Sequence, residues 1–441
     1  PVAFWVCSCS EIFERLAYYL GRSLILIFVT ASVATGGLGL SDTVAANMQS
    51  NLTAFSYLLP LFGAVIVDKY IGARYTTPVG MFIAAAGYFT GGIAKSATGV
   101  YVMIFLVSLG LALFKNGAII GRVITDKSQM DPAFSMRYTL VNVGAFIGTF
   151  LVGILYKDVF AKDGVLGFAP CFKMAALMMV LGGLWYIFVC WRFLGDLGKL
   201  PFKKTLTEEE KAAEAKKKEE AGTKQPLTTI EKKRIGAIFV ASLFSIVFWI
   251  FWYLGYMPVY FYWAENMDWV VAGYQVPSTW FDAANSLFCV ILGPVTAALW
   301  KKLAARPQGD MSLFRKTGLG IAIIGVGYLF YAAIDIMRGG EKASVLWLIV
   351  FAFLLTMGEM FFSPLGHSFI SKYSPSRYLA VMMSVWGFAT FIAAKSYGPV
   401  YGLLFGGKIE FKVACIGVAV VSFAAALIMI ALDKKLSALV D

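Results

Sequence analysis

Charged residues are scarce in this chain: 15% of its 441 residues are Asp, Glu, Lys or Arg, whereas 59% are hydrophobic. A soluble domain carries roughly 25% charged residues. Histidine occurs once, and the six cysteines show no metal-ligand spacing. The mean hydropathy is +0.74. The shortage of charge excludes an ordinary soluble domain and indicates a polytopic membrane protein, with no metal site expected.

Hydrophobic stretches long enough to cross a bilayer recur along the whole chain. About twelve are predicted, near 8–34, 44–69, 75–95, 99–124, 133–156, 170–194, 234–262, 278–303, 314–336, 344–370, 378–403 and 412–433. A long polar segment, 195–233, separates the first six from the last six. Two six-helix bundles joined by a cytoplasmic loop are the layout of the major facilitator superfamily. The predicted fold class is therefore an all-α membrane protein of that superfamily, with bundles at 1–194 and 234–441.

The net charge of +12 has a distribution that argues against nucleic-acid binding. Lys and Arg concentrate in every second connection between predicted spans, and the intervening connections are poorer in them or balance them with acids. This bias predicts that both termini lie in the cytoplasm. We expect a multi-pass protein of the plasma (inner) membrane, in contact with the lipid bilayer.

The polar segment 195–233 contains a helix-start pattern. Thr207 precedes Glu210 by three residues, which is the spacing of a capping box, and Gly222 is a stop signal further on. A short solvated or membrane-surface helix between the bundles is one interpretation. A disordered charged linker is the other.

A short loop between predicted spans two and three carries a second signature. It runs from Gly63 through Asp68 and Gly72 to Arg74. An acid, a glycine and an arginine in that loop resemble the conserved loop motif of the superfamily. The glycine permits a tight turn, and the charges can hold neighbouring helix ends.

Four charges lie inside the first predicted span: Glu11, Glu14, Arg15 and Arg22. A charge at bilayer depth is costly and persists where it meets a partner or a cavity. At about 100° per residue these side chains and Tyr18 fall within an arc of roughly 100°. The Glu11–Arg15 spacing also allows those two side chains to touch. The pattern indicates a helix that lines a pathway; ion pairs that only hold the bundle together are the alternative.

Later predicted spans also carry ionisable groups: Lys115, Glu359, Lys395 and, near an outer end, Asp282. Polar and aromatic candidates for the same cavity are Tyr18, Tyr19, Tyr57, Asn142, Asn285 and Trp386. Tyrosine and tryptophan in membrane helices also serve as interface anchors or packing residues.

The stretch Glu11-x-x-Glu14-Arg15-x-x-Tyr18-Tyr19 resembles the Glu-x-x-Glu-Arg-Phe-x-Tyr-Tyr signature of the proton-dependent oligopeptide transporter family, with Leu16 in place of Phe. Further similarities keep the family's order along nearly the whole chain. They are Arg22, Tyr57, Lys115, the span-five motif Phe134-Ser135-x-x-Tyr138-x-x-Asn142-x-Gly144-Ala145-Phe146, Trp280-Phe281 with Asn285, Gly358-Glu359-x-x-x-Ser363-Pro364, and Trp386.

This resemblance implies roles for particular residues. Arg22 and Lys115 would hold the carboxylate of a short peptide, and Glu359, helped by Asn142 and Asn285, its ammonium group. Glu11, Glu14, Arg15 and Lys115 would form the proton-coupling network, because a carboxylate freed from its basic partner favours its protonated form. Tyr18, Tyr19, Tyr57, Ser363 and Trp386 would complete the substrate site. Alternating access of the two halves would then use the proton gradient to drive uptake.

Two positions depart from the family pattern. Tyr253 aligns with a span-seven glutamate that the family uses in proton coupling and in an outer gate with the span-one arginine, here Arg22. No acid occurs between Glu231 and Glu265, and our hypothesis is that Asp282 replaces the missing gate acid. Lys395 stands where the family has a small or amide residue, and it would pair with Glu359 or attract an anionic substrate.

The leading functional prediction is a secondary active transporter that carries di- and tripeptides into the cytoplasm together with protons. One alternative keeps the fold and carries another small solute, either nitrate or an organic anion. Another is a facilitator, or a non-transporting sensor, with altered proton coupling. We expect no cofactor other than the proton gradient as energy source, a monomer, no nucleic-acid partner and no enzyme activity.

Overall fold

The computed structural model describes residues 2–124, 130–204, 211–212, 215, 227–307, 309, 311–362, 366–375 and 378–440. These residues are helical almost throughout, which confirms the all-α fold class. The helices are α1 Val2–Thr30, α2 Asp42–Lys69, α3 Ala73–Ile93, α4 Ala97–Leu113, α5 Asn116–Val123, α6 Met130–Ile154, α7 Phe168–Trp185, α8 Trp191–Leu194, α9 Thr229–Leu254, α10 Met257–Tyr260, α11 Tyr262–Asn266, α12 Trp280–Ala304, α13 Leu313–Met337, α14 Trp347–Phe362, α15 Gly366–Tyr373, α16 Leu379–Phe405 and α17 Phe411–Val440.

Short irregular and extended segments join these helices. π-helical turns at Leu155–Val159 and Tyr186–Cys190 continue α6 and α7, and 3-10 turns lie at Val33–Thr35 and Phe202–Lys204. The strands β1 Met267–Asp268, β2 Val270–Val271, β3 Tyr274–Gln275 and β4 Ala343–Ser344 have two residues each. β1 pairs in parallel with β4, and β2 pairs with β3.

Helical segments occupy all twelve predicted spans within the described residues. Seven of these helices are long and apolar enough to cross a membrane, by length and composition. α1 is outside this group because its four charges interrupt the apolar run. Two predicted spans differ from the structure. Span four breaks between α4 and α5, and span seven ends at Leu254 and continues as two short helices. In span ten, α14 and α15 lie on either side of 363–365, which is outside the described residues.

A capping box does occur in the polar connection, at a different threonine from the predicted one. The Thr228 hydroxyl accepts from the Glu231 amide, and the Glu231 carboxylate accepts from the Thr228 amide, so α9 begins at this pair. The predicted box at Thr207–Glu210 lies outside the described residues.

Two compact units divide the chain, and the first comprises Pro1–Leu206 with Val271–Leu287. Here α1 packs closely on α6 because two glycines leave room for its backbone. A Cβ atom on Gly148 would lie 2.4 Å from the Leu16 carbonyl oxygen, and one on Gly144 would lie 2.9 Å from the Ile12 carbonyl oxygen. Small residues four apart allow membrane helices this approach. It holds the charged part of α1 against α6.

The second unit comprises Thr207–Val270 with Phe288–Asp441. Its core is rich in stacked aromatic rings. Tyr331 and Phe351 have ring centroids 3.5 Å apart, and Phe248 and Phe362 have centroids 3.9 Å apart. These nearly parallel rings bury large apolar surfaces against each other, and they pack α9, α13 and α14 together.

Candidate functional site

Glu11 on α1 forms a salt bridge with Arg137 on α6, with 2.9 Å between Oε1 and Nε. Only 1% of Glu11 is exposed. A charge at this depth needs such a partner because few other groups there can solvate it. The close approach of α1 and α6 brings the two side chains together.

Glu14 is held by its chain neighbour Arg15. The Arg15 Nε atom lies 2.5 Å from Oε2 of Glu14, and its Nη2 atom lies 2.6 Å from Oε1. The guanidinium also lies over the Tyr18 ring, 4.9 Å from its centroid. The i,i+4 contact that the sequence allows between Glu11 and Arg15 is therefore not the pairing observed, since each acid has a different arginine.

Asn116, the first residue of α5, touches the same acid. Its Nδ2 atom donates to the Glu11 Oε1 atom at 3.3 Å and to the Cys7 carbonyl oxygen at 2.7 Å. Glu11 thus accepts from two elements besides its own helix. The arrangement holds one carboxylate oxygen between a cation and an amide.

Lys115 lies at the break between α4 and α5, where span four was predicted to be continuous. The backbone at Phe114 is extended (φ −75°, ψ 95°), which ends the α-helical ladder. The Lys115 Nζ atom donates to the Pro60 carbonyl oxygen of α2 at 2.7 Å. The break turns the lysine side chain towards α2, so its observed contact is with a backbone carbonyl group.

The remaining substrate candidates of the first unit occupy different environments. Arg22 is buried, and its carbonyl oxygen accepts from Gln49 at 3.0 Å. Tyr18 and Tyr19 meet edge to face with centroids 5.3 Å apart. Tyr57 is 43% exposed, and Asn142 donates to the Tyr138 carbonyl oxygen at 3.0 Å.

The first two turns of α12 belong to the first unit and carry Asp282 and Asn285, both buried. Trp280 fixes this end of the helix. Its ring stacks on Phe150 with centroids 4.6 Å apart, and its indole nitrogen donates to the Phe150 carbonyl oxygen at 3.1 Å. Asp282 and Asn285 are thereby held in a defined position within this unit.

In the second unit, Glu359 on α14 is half-buried and accepts from the Cys289 thiol at 3.7 Å. Tyr253, which stands where the family has an acid, is buried and stacks on Tyr397 with centroids 5.0 Å apart. An ionised acid in that aromatic surrounding would be poorly solvated. The surroundings of position 253 therefore favour an aromatic side chain.

The other candidates of the second unit are Lys395, Trp386 and Ser363. Lys395 is exposed on α16, whereas Trp386 is buried and packs against Gly366, where a Cβ atom would meet its ring at 3.3 Å. Ser363 lies outside the described residues.

Sequence reasoning did not single out Arg137 or Asn116 as site residues. Arg137 lies near the start of predicted span five, and α6, which begins at Met130, places it inside the helix. Asn116 follows Lys115 directly, and that adjacency to a buried lysine is the only signal the sequence offers for it.

Comparison with known proteins extends over nearly the whole chain. Residues 194–404 match the sequence model of the POT family. The peptide transporter YePEPT of Yersinia enterocolitica is 24% identical over 451 residues, covering 91% of this chain and 86% of that protein. A di-/tripeptide transporter of Lactococcus lactis subsp. cremoris is 24% identical over 429 residues, covering 86% of this chain and 84% of that protein.

A crystal structure of a peptide transporter POT in complex with sulfate has the same fold. The TM-score is 0.87 at 22% identity, and the similarity covers 100% of this chain and 96% of that one. The chain therefore has the helical fold of that structure, and with seven helices long and apolar enough to cross a membrane it is an integral membrane protein. Together these matches confirm the resemblance to the proton-dependent oligopeptide transporter family.

Proposed function

We propose that this protein carries di- and tripeptides into the cytoplasm by symport with protons. It would act as a monomer in the plasma (inner) membrane, with both termini in the cytoplasm. Its partners are a small peptide and protons, and it performs no enzymatic reaction.

The observation that carries the proposal is the pair of buried salt bridges on α1. Glu11 and Glu14 are each 1% exposed and are held by Arg137 and Arg15 respectively. Protonating either acid removes the charge attraction and releases its arginine, because the neutral carboxyl group no longer holds a cation. The side chains of Arg15 and Arg137 are 27% and 32% exposed, so each arginine can turn to solvent once its acid is neutral. A proton on this helix would therefore change the contacts that α1 makes.

The charges assigned to the peptide follow from the family pattern. We propose that Arg22 and Lys115 bind its carboxylate and that Glu359 binds its ammonium group, with Asn142 and Asn285 assisting. Tyr18, Tyr19, Tyr57, Ser363 and Trp386 would line the rest of the site. Two fixed charges of opposite sign select for backbone length and leave side-chain identity free.

Proton coupling in this chain must work without the span-seven acid. We propose that Glu11, Glu14, Arg15 and Lys115 are sufficient for it, and that Asp282 serves as the gate acid opposite Arg22. The aromatic surroundings of Tyr253 support this, because they disfavour an ionised group at that position.

Uptake by purified protein in proteoliposomes tests the function. Labelled dialanine should accumulate above its external concentration when the lumen is alkaline and the outside acidic, and should only equilibrate when the gradient is collapsed by a protonophore. Empty liposomes are the control. Equilibration with no accumulation under a gradient would point to a facilitator, and accumulation of nitrate or an organic anion in place of peptide would point to different cargo.

A further inference from the structure

The amide of Asn116 has a fixed orientation. Its contact with the Cys7 carbonyl oxygen, at 2.7 Å, requires a donor, and only the amide nitrogen can donate. The same nitrogen uses its second hydrogen on Glu11 Oε1 at 3.3 Å. The amide oxygen of Asn116 is therefore the atom left to face away from Cys7.

Each of these two contacting side chains has a buried oxygen with no hydrogen-bond partner in the described part of the chain: Glu11 Oε2 and Asn116 Oδ1. An ionised carboxylate oxygen and an amide oxygen are both acceptors, so they cannot satisfy each other. A proton on Oε2 converts it into a donor. The two side chains would then each have one donor and one acceptor available to the other.

We propose that Asn116 is a positioning residue that recognises the protonated form of Glu11. The proton that arrives on Oε2 stays bonded to that oxygen, and the resulting O–H group donates a hydrogen bond to Asn116 Oδ1. Asn116 Nδ2 keeps its hydrogen bond to Oε1, so the two hydrogen bonds close an acid–amide ring. Arg137 loses its charged partner in the same step, and the proton leaves again from Oε2. This inference rests on the proposed function, because it describes how the same symporter stabilises its proton-loaded state.

The charged groups around Glu11 are Arg137 from α6 and Glu14 and Arg15 from its own helix. From α5 the contacting group is the neutral amide of Asn116. Both arginines favour the ionised acid, and Glu14 favours the protonated one. Asn116 can bond either form, with one hydrogen bond to the carboxylate and two to the acid.

Gradient-driven uptake by the Asn116→Leu variant in proteoliposomes tests whether Asn116 favours the protonated or the ionised form of Glu11. If the ring forms, the variant loses the bond that favours the proton, and the pH of half-maximal driven uptake shifts by about one unit to the acid side, a tenfold weaker proton affinity. If Asn116 only donates to the ionised carboxylate, the shift is to the alkaline side, which overturns the proposal, as does no shift. Asn47→Leu is the matched control, because the Asn47 amide bonds only the Thr43 carbonyl of its own helix, at 2.9 Å; its pH profile should not move.

A second measurement is independent of transport. Glu11→Gln places an amide nitrogen where the protonated oxygen would be, and so imitates the ring. Asn116→Leu should then lower the Tm of the detergent-purified protein more in the Glu11→Gln background than in the wild type at pH 8. An equal or smaller loss overturns the ring. If wild-type protein shows no gradient-driven uptake, the symport proposal fails, and this stability comparison still decides the inference.

Discussion

Arg15 binds its chain neighbour Glu14 through two hydrogen bonds of 2.5 and 2.6 Å, and not Glu11 one turn earlier. Consecutive helical residues point about 100° apart, so the long guanidinium side chain must fold back to reach. Glu11 is left to Arg137, which belongs to a different helix. The two acids of α1 therefore have different partners, one within α1 and the other on α6.

Removing the charge of Glu14 should uncouple transport from the gradient. In Glu14→Gln, Arg15 loses its carboxylate and no proton can bind at this position, so accumulation of dialanine should fall at least about tenfold, the equivalent of about 1.4 kcal/mol. Exchange of labelled for unlabelled peptide without a gradient should fall much less. Accumulation and exchange are both measured as the amount of labelled peptide retained by the same preparation of proteoliposomes. Full accumulation in the variant would contradict this role for Glu14.

Asp196→Asn is the control for that experiment. Asp196 is an exposed acid with its own cation, Lys199, at 2.6 Å, and that hydrogen bond and charge hold the pKa of Asp196 below its ordinary value. It therefore stays ionised as the pH falls from 8 to 5 and takes up no proton in the working range. The variant should keep the wild-type pH profile, and a loss equal to that of Glu14→Gln would mean that any lost acid is harmful.

Exchanging the charges of Arg22 and Asp282 tests the substitute gate. If Asp282 faces Arg22 as proposed, each single reversal, Arg22→Asp or Asp282→Arg, should abolish accumulation because it places like charges opposite each other. The double variant should recover a substantial part of the uptake. The measurement is initial uptake rate, corrected for the amount of reconstituted protein, and absence of any recovery would exclude Asp282 as the replacement acid.

Lys395 is expected to bias the choice of substrate. Lys395→Ala should lower uptake of alanyl-glutamate relative to alanyl-lysine by about fivefold, which corresponds to about 1 kcal/mol for one charge interaction near water. Competition against labelled dialanine measures the ratio. Lys408→Ala removes an exposed lysine from the connection before α17 and should leave the ratio unchanged. An unchanged ratio and pH profile in Lys395→Ala would make this lysine structural.

Gly63 should be intolerant of any side chain. A Cβ atom there would lie 1.9 Å from the Ala112 carbonyl oxygen, so Gly63→Ala must push α2 away from α4. The expected cost is about 1–3 kcal/mol or more, seen as a lower Tm and less monodisperse protein in detergent. Gly236→Ala is the matched control because nothing lies within 4 Å of its Cβ position; it should stabilise α9 by up to about 1 kcal/mol.

The sequence was sufficient for the helices because bilayer-length apolar runs are a strong and repeated signal. It was weaker where the helix ends are decided by local backbone chemistry. Thr228 and Glu231 form the capping box that starts α9 five residues before the predicted span. The extended backbone at Phe114 divides span four directly before the polar residues Lys115 and Asn116.

The sequence predicted which acids belong to the candidate site more readily than which cations they pair with. Spacing along α1 suggested Glu11 and Arg15 as partners, yet the nearest cation in space is Arg137, 126 residues away. That contact depends on Gly144 and Gly148, which let two backbones approach. One sequence shows the glycines but not which helix they face.

The division of span four leaves α5 with eight residues. A helix of this length is not stable in water by itself, so its hydrogen bonds persist because Ile119 and Ile120 are fully buried with Cys7 and Tyr186 in one apolar cluster. Its backbone amides should therefore exchange with heavy water at a rate set by how firmly α1 is seated against it. Deuterium uptake by the backbone amides of 116–123 would then report whether the Glu11 carboxylate is protonated, and no side chain would need a label.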